Sequence, residues 1–372
     1  MPARWIAVLA AMLLIAAAQP SARSPDAVLQ TAMSEGKIPA MGMLIMRHGR
    51  VSEVVVRGVR RQDGADPVRP DDVWHIGSDA KAMTATMIAR LVERGVMDWD
   101  TPLEKMLPDL AAGMRPEYRA VTLRQLLSHH AGLPHDLLDQ KAFNNFYADT
   151  RPLPVQRLAY IAAALQESPV NPPGTAYSYS NTGYVIAAVA AERATGKSYE
   201  DLMRREVFGP LDMRSVAFGV TGEGQPRGHL AGRVAGPGDG NPLLIAPAGN
   251  VHLSLEDWAK FCLDQMAGAN GHGRLLKTTS YRRLQTPVAD DGSGYALGWV
   301  VLPSAAGREG PVLTHSGSDT TMYADAVLFP STESGVLVVA NAGPDMGSDK
   351  AVPQAVRAVL PQLAPVARKI AK

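Results

Sequence analysis

Apolar and polar positions change period four times along this chain. Residues 25–33 have helical spacing, and then 41–47 and 51–57 are short runs rich in Met, Ile and Val, separated by His48-Gly49-Arg50. Such runs around a Gly-containing turn predict two strands joined as a hairpin. From Ser78 to about Thr286 the spacing becomes helical, with helices expected near 122–128, 154–167, 182–195, 198–207, 255–266 and 278–285. Strand signals return at 295–302, 312–315, 323–329 and 336–340, before a last helix over about 350–363. Strands at both ends with helices between them predict an α+β fold of two lobes. One antiparallel sheet is built by both chain ends with flanking helices (about 25–75 and 290–365), and the helical lobe is inserted at about 76–289. A site belongs where the lobes meet. Residues 219–250 are rich in Gly and Pro and lack periodicity, which fits either a loop bordering that site or a plain connection.

Residues 1–22 stand apart from this pattern. Arg4 precedes an apolar run from Trp5 to Ala18 that is too short to span a bilayer, and small residues follow. This predicts a secretory signal cut after Ala18 or Ala22, with residues 23–372 as the mature domain and a periplasmic or secreted location. The competing reading is an uncleaved anchor. No stable membrane anchor is expected after cleavage. The single cysteine, Cys262, falls on an apolar helix, so burial is expected, and the exported chain has no internal disulfide to rely on. Arg4 is the one basic residue before the cut; without it the 37 Lys and Arg residues fall to 36, equal to the 36 acidic ones. Charge balance without a basic tract excludes nucleic acid as a natural partner.

Chemistry concentrates at Ser78 and Lys81 in Trp74-His75-Ile76-Gly77-Ser78-Asp79-Ala80-Lys81. On a helix these two lie one turn apart on one face, so a deprotonated amine can hold and deprotonate the hydroxyl. The helix start also offers unpaired N–H groups to a developing oxyanion. Ser78 as a simple helix cap is the alternative. The same spacing in Ser34-Glu35-Gly36-Lys37 is a decoy, because Gly36 and Pro39 stop the preceding helix.

Two further segments supply what a serine–lysine pair lacks. Tyr179-Ser180-Asn181, in a turn-rich stretch ahead of a helix, places a phenol and an amide together for proton transfer and for orienting a lysine or a substrate carbonyl. Thr314-His315-Ser316-Gly317-Ser318 ends a strand whose edge can pair with an extended substrate, the glycine removing a blocking side chain. His130-Ala131-Gly132 has the same spacing but ends a helical segment. A zinc site from His129, His130, His135 and Asp136 is a rival reading, but the spacing matches no helix-borne His pair or zinc loop. The absence of Gly-x-Ser-x-Gly removes the nucleophile elbow of the α/β-hydrolases.

In this order, Ser78-x-x-Lys81, Tyr179-x-Asn181 and His315-x-Gly317 resemble the serine β-lactamase and penicillin-binding protein superfamily. The likeness is to its branch of class C β-lactamases, related D-alanyl-D-alanine carboxypeptidases and family VIII esterases, and it runs over roughly residues 25–345. The resemblance implies a serine hydrolase that needs no cofactor or metal, in which Ser78 is acylated and Lys81 and Tyr179 share general acid–base work. Asn181 positions the lysine or the substrate, His315 and Gly317 border the substrate, and the N–H groups of Ser78 and Ser318 form the oxyanion hole. The implied partner is a small-molecule or peptidoglycan-like ester or amide. A catalytically silent relative that binds cell-wall peptide or a protein through the same cleft is the alternative.

Several residues depart from that pattern. His315 replaces a lysine common at the third motif, which makes the local positive charge weaker and pH-dependent. Asp79 follows the nucleophile and Asp319 follows the third motif, and unpaired they would repel an anionic substrate. Asp79 is expected to stabilise the helix N-terminus and Asp319 to face solvent. Asp136 falls where class C enzymes tend to carry an amide, so a donor becomes an acceptor. These departures lean away from an efficient β-lactamase and toward an ester or peptide-like substrate.

Overall fold

The two ends of the chain meet in one sheet in the computed structural model, which describes residues 23–363. The expected signal segment 1–22 lies outside the described residues. Strands β1 (Ala40–Arg47) and β2 (Arg50–Gly58) form the expected hairpin, with His48 and Gly49 both at positive φ (53° and 73°) as a type I′ turn requires. Strand β3 (Val73–His75) leads to the helical region, where β4 (Ala217–Phe218), β5 (His229–Leu230), β6 (Arg233–Val234) and β7 (Val251–Ser254) are short. The C-terminal strands are β8 (Val300–Ala305), β9 (Arg308–Ser318), β10 (Tyr323–Phe329) and β11 (Ser334–Ala340). The main sheet has the order β2-β1-β11-β10-β9-β8 and is antiparallel throughout, so β1 pairs directly with β11.

Alternation along the central strands divides them between two cores. Met41, Met43, Ile45, Val336 and Val338 pack with the terminal helices Pro25–Glu35 and Ser348–Val359. Leu44, Met46, Leu337, Val339 and Leu328 belong to the core shared with the helical lobe. Covering both faces explains why these strands read as continuous apolar runs. The expected helices near 122–128, 182–195, 255–266 and 278–285 appear as Leu123–Leu127, Asn181–Thr195, Leu255–Ala269 and Thr278–Leu284. Thr122 and Gln125 close a capping box on the first, and Gly196 at φ 66° ends the second.

Three expectations are corrected. The region from Ser78 to Thr286 is not solely helical, because β3, β7 and β4 form a separate antiparallel sheet of strands too short to show a period. The strand expected over 295–302 begins only at Val300. Gly294 and Gly298 turn at positive φ, and a Cβ on Gly298 would come within 2.6 Å of the Ala82 Cα, so this backbone bends to pack against the Ala80–Glu93 helix. Residues 219–250 are not a plain connection. They contain the β5–β6 hairpin and are tied to the turn after β9, where His229 N–H donates to the Thr321 carbonyl and Thr320 Oγ1 to the Asp239 carbonyl.

A buried ion cluster fastens the helical lobe. Arg157, fully buried on helix Leu153–Ala164, donates to Glu192 (2.6 Å) and to both oxygens of Glu200 (2.9 and 3.0 Å). Removing one partner strands the rest in a dry interior. Arg157→Ala is therefore expected to cost about 3–5 kcal/mol of stability, measured by urea unfolding; a loss under about 1 kcal/mol would show that the cluster is not what holds these helices together.

Candidate active site

Strand β3 delivers Ile76 to a tight turn, Gly77–Asp79, that feeds the long helix Ala80–Glu93. Gly77 sits at φ 51°, where a side chain is strained, and a Cβ there would come within 2.1 Å of the Ser318 backbone N. Gly317 is its counterpart on β9: a Cβ would come within 2.0 Å of the Ile76 carbonyl oxygen and 2.6 Å of the Ser78 N. Two glycines thus let the end of β9 press backbone to backbone on the Ser78 turn, and the amides of Ser78 and Ser318 become neighbours. What the missing Gly317 side chain admits is this turn. Pairing of β8 with β9 stops at Val300 and Thr314, so residues 315–318 run on past β8, paired to β10.

Lys81 has no exposed surface. Its Nζ donates to Ser78 Oγ (3.0 Å), Asn181 Oδ1 (2.8 Å) and the Ala248 carbonyl (2.6 Å), and lies 4.7 Å from the centre of the Tyr179 ring. Burial lowers its pKa to about 7 against the opposing pull of Asp136. Tyr179 Oη donates to Ser78 Oγ at 2.7 Å, and burial holds this phenol well above its ordinary range, hence neutral. One hydroxyl oxygen therefore contacts both an amine able to lose its proton and a phenol that keeps it. The decoy Ser34 is on the surface, its hydroxyl bonded to the Thr31 carbonyl.

Tyr179 and Asn181 are set by lacing between two loops. Ser178 N–H donates to the His129 carbonyl, Ser180 N–H to His129 Nδ1 (3.1 Å), Ser180 Oγ to the Pro134 carbonyl (2.6 Å) and Asn181 N–H to the His135 carbonyl (2.8 Å). Ser180 also caps the helix that begins at Asn181. The His129 ring, buried and held neutral by that burial, lies 4.3 Å from the Tyr179 ring and 4.5 Å from that of Tyr295. In the sequence His129 reads as the end of a helical segment or as a metal ligand; its positive φ of 65°, unusual outside glycine, is a feature of the fold. The histidines of the rival zinc reading go to separate partners, His130 to Asp291 (2.9 Å) and His135 to Asp136 (2.6 Å). Among the described residues no group of three or more such side chains is placed to hold a metal ion.

Three expectations about charge change. His315 is buried, with Nδ1 donating to the Ser316 carbonyl (2.8 Å) and Nε2 accepting from the Tyr295 hydroxyl (3.1 Å). Burial, aided by the nearby Lys81, pushes its pKa down to about 3, so it supplies no positive charge near neutral pH. Asp79 is buried with both carboxyl oxygens unpartnered and makes no cap. Burial, reinforced by Asp325, raises it well above the carboxylate range, so it neither complements the helix dipole nor repels an anion. Asp319 does not face solvent. It accepts from the N–H groups of Thr321 (3.0 Å) and Met322 (2.8 Å). Asp136 accepts from Asn181 Nδ2 at 3.2 and 3.3 Å, bringing a carboxylate into the site. A groove of about 860 Å³, lined by Val92, Met97, Lys105 and Arg193, touches none of these residues.

Comparison with known proteins bears on the family and the fold. The profile of the Beta-lactamase family matches residues 25–360. Penicillin-binding protein 4 of Amycolatopsis lactamdurans is 28% identical over 285 residues, covering 72% of this chain and 71% of the relative. Protein flp of Staphylococcus aureus (strain N315) is 23% identical over 326 residues, 85% of this chain, and the chain spans only 62% of that relative's length. The solved structure of the octameric penicillin-binding protein homologue from Pyrococcus abyssi superposes with a TM-score of 0.73 at 24% identity, over 90% of this chain and 78% of that one. That likeness concerns the fold: mixed α and β, built on an antiparallel sheet.

An amine that still holds its proton cannot accept one from Ser78. Labelling of Ser78 by a neutral fluorophosphonate is expected to slow about tenfold per pH unit below about 7 and to level off above it, read by intact-protein mass spectrometry. A flat profile from about pH 5 to 8 would exclude Lys81 as the base.

Proposed function

Because the chain belongs to the Beta-lactamase family, we propose that it is a serine hydrolase that turns over an ester or amide through an acyl-enzyme on Ser78. The observation that carries this is the single hydroxyl of Ser78 in contact with both Lys81 Nζ at 3.0 Å and Tyr179 Oη at 2.7 Å. In this reading Ser78 Oγ attacks the carbonyl carbon as its proton passes to neutral Lys81. The oxyanion forms toward the N–H groups of Ser78 and Ser318. The bond to the leaving group breaks as Tyr179 hands over its phenolic proton, and the Lys81 ammonium returns one to Tyr179. Water then releases the acyl group, with the same residues moving protons in reverse. Asn181, bonded to Lys81, holds the amine on the Ser78 side.

Charge favours an esterase over a β-lactamase or a D-alanyl-D-alanine carboxypeptidase. Among the described residues Lys81 is the only lysine or arginine hydrogen-bonded to Ser78, Tyr179, Asn181 or Asp136, and buried His315 is neutral. At those four residues a substrate carboxylate meets no cation other than Lys81. The apolar segment ahead of residue 23 supports export, to a periplasmic or secreted location, as part of the same proposal.

A turnover panel tests the reading: a p-nitrophenyl ester, nitrocefin and a D-alanyl-D-alanine peptide. The ester is expected to be hydrolysed best, and Ser78→Ala to lose at least about 10³-fold in kcat. Fast nitrocefin turnover would overturn the charge argument. A folded wild-type protein that hydrolyses none of the three and takes no fluorophosphonate label would favour a silent binding protein.

A further inference from the structure

A carboxylate stands where this site meets solvent. Asp136 lies in the loop that docks on the start of the Asn181–Thr195 helix, and its side chain is 26% exposed. Its oxygens accept from Asn181 Nδ2 (3.2 and 3.3 Å), and Asn181 Oδ1 accepts from Lys81 Nζ (2.8 Å), which reaches Ser78 Oγ. The carboxylate is therefore three hydrogen bonds from the nucleophile. Its one ion-pair partner among the described residues is the exposed imidazole of His135 (2.6 Å), and no arginine or lysine is paired with it. The influence of Asp136 is felt by Lys81, Tyr147, Tyr160 and Tyr179, all of which it pushes toward the protonated form.

The surroundings suit a cation. Tyr147, 41% exposed, lies within the electrostatic reach of both Asp136 and Asp319, and the His135 ring stands 5.5 Å from that of Tyr179. Aromatic faces beside a carboxylate receive an ammonium group through both its charge and its C–H surface. An anionic acyl group would meet the same carboxylate and be repelled by it.

Building on the acyl-enzyme reading above, we propose that Asp136 selects acyl groups bearing a free ammonium, so that the preferred substrates are aminoacyl esters or amides with an unblocked amine. Asp136 acts here as a specificity-determining residue. The bond changes are those of the Ser78 reaction, and the ammonium keeps its proton throughout.

The test compares kcat/KM for the phenyl esters of β-alanine and of butyrate, which match in size and differ in the positive charge, at pH 7.5. Asp136 also acts on Lys81, so Asp136→Asn changes both rates, but that shared change cancels in their ratio. The wild-type ratio is expected to favour β-alanine by about 10- to 100-fold and to collapse toward one in Asp136→Asn. If that variant does not fold, the wild-type ratio is read from about 0.02 to 0.5 M salt, where it should fall as the charge is screened. A wild-type ratio at or below one, or a ratio that neither Asp136→Asn nor salt alters, would overturn the proposal while leaving the serine hydrolase reading in place. No hydrolysis of either ester, with Ser78 unlabelled by fluorophosphonate, would remove both.

Discussion

Everything at this site depends on keeping an amine out of water. Lys81 has no exposed surface and exchanges solvent for three acceptors, from Ser78, Asn181 and the backbone at Ala248. Moving its pKa from 10.5 to about 7 corresponds to about 5 kcal/mol of preference for the neutral form. Such a cost is sustained only where neighbours are rigid. The helix that carries Lys81 is buried along most of its length, from Ala80 to Leu91, and crosses the larger of the two cores. The left-handed turn at Gly77 and the backbone contact at Gly317 hold its start against the sheet. The fold therefore acts on chemistry by excluding water, and the chain ends close the sheet that makes the exclusion possible.

The same dryness disposes of most of the charge around the site. His315 and Asp79 both settle in their neutral forms because nothing nearby stabilises an ion well enough to offset burial. Asp319 is tied up by backbone N–H groups. Asp136 differs in being open to solvent, and so its charge reaches outward as well as toward Lys81.

Much of this was legible in the linear pattern. The β1–β2 hairpin follows from His48-Gly49, the central strands from their continuous apolar runs, and the pairing of Ser78 with Lys81 from one turn of helix. Less legible was anything shorter than a period. The β3-β7-β4 sheet is made of strands of two to four residues, and no pattern can declare itself over so few. The bend at Gly298 read as a strand because its flanking residues are apolar and aromatic, while its positive φ answers to a helix far away in sequence. His129 invited a metal reading, since sequence places histidines side by side and the backbone turns them to different partners.

The sequence by itself determined which groups were available: a serine and a lysine at helical spacing, a phenol and an amide two residues apart, and glycines where backbones had to touch. Those are properties of residue type and short separation, which a chain carries wherever it folds. Protonation states and the company each group keeps were decided only by the tertiary structure. Whether Lys81 is neutral, His315 uncharged or Asp79 protonated depends on burial and on residues up to hundreds of positions away. Desolvation is a property of the whole packed interior, and no local stretch of sequence encodes it.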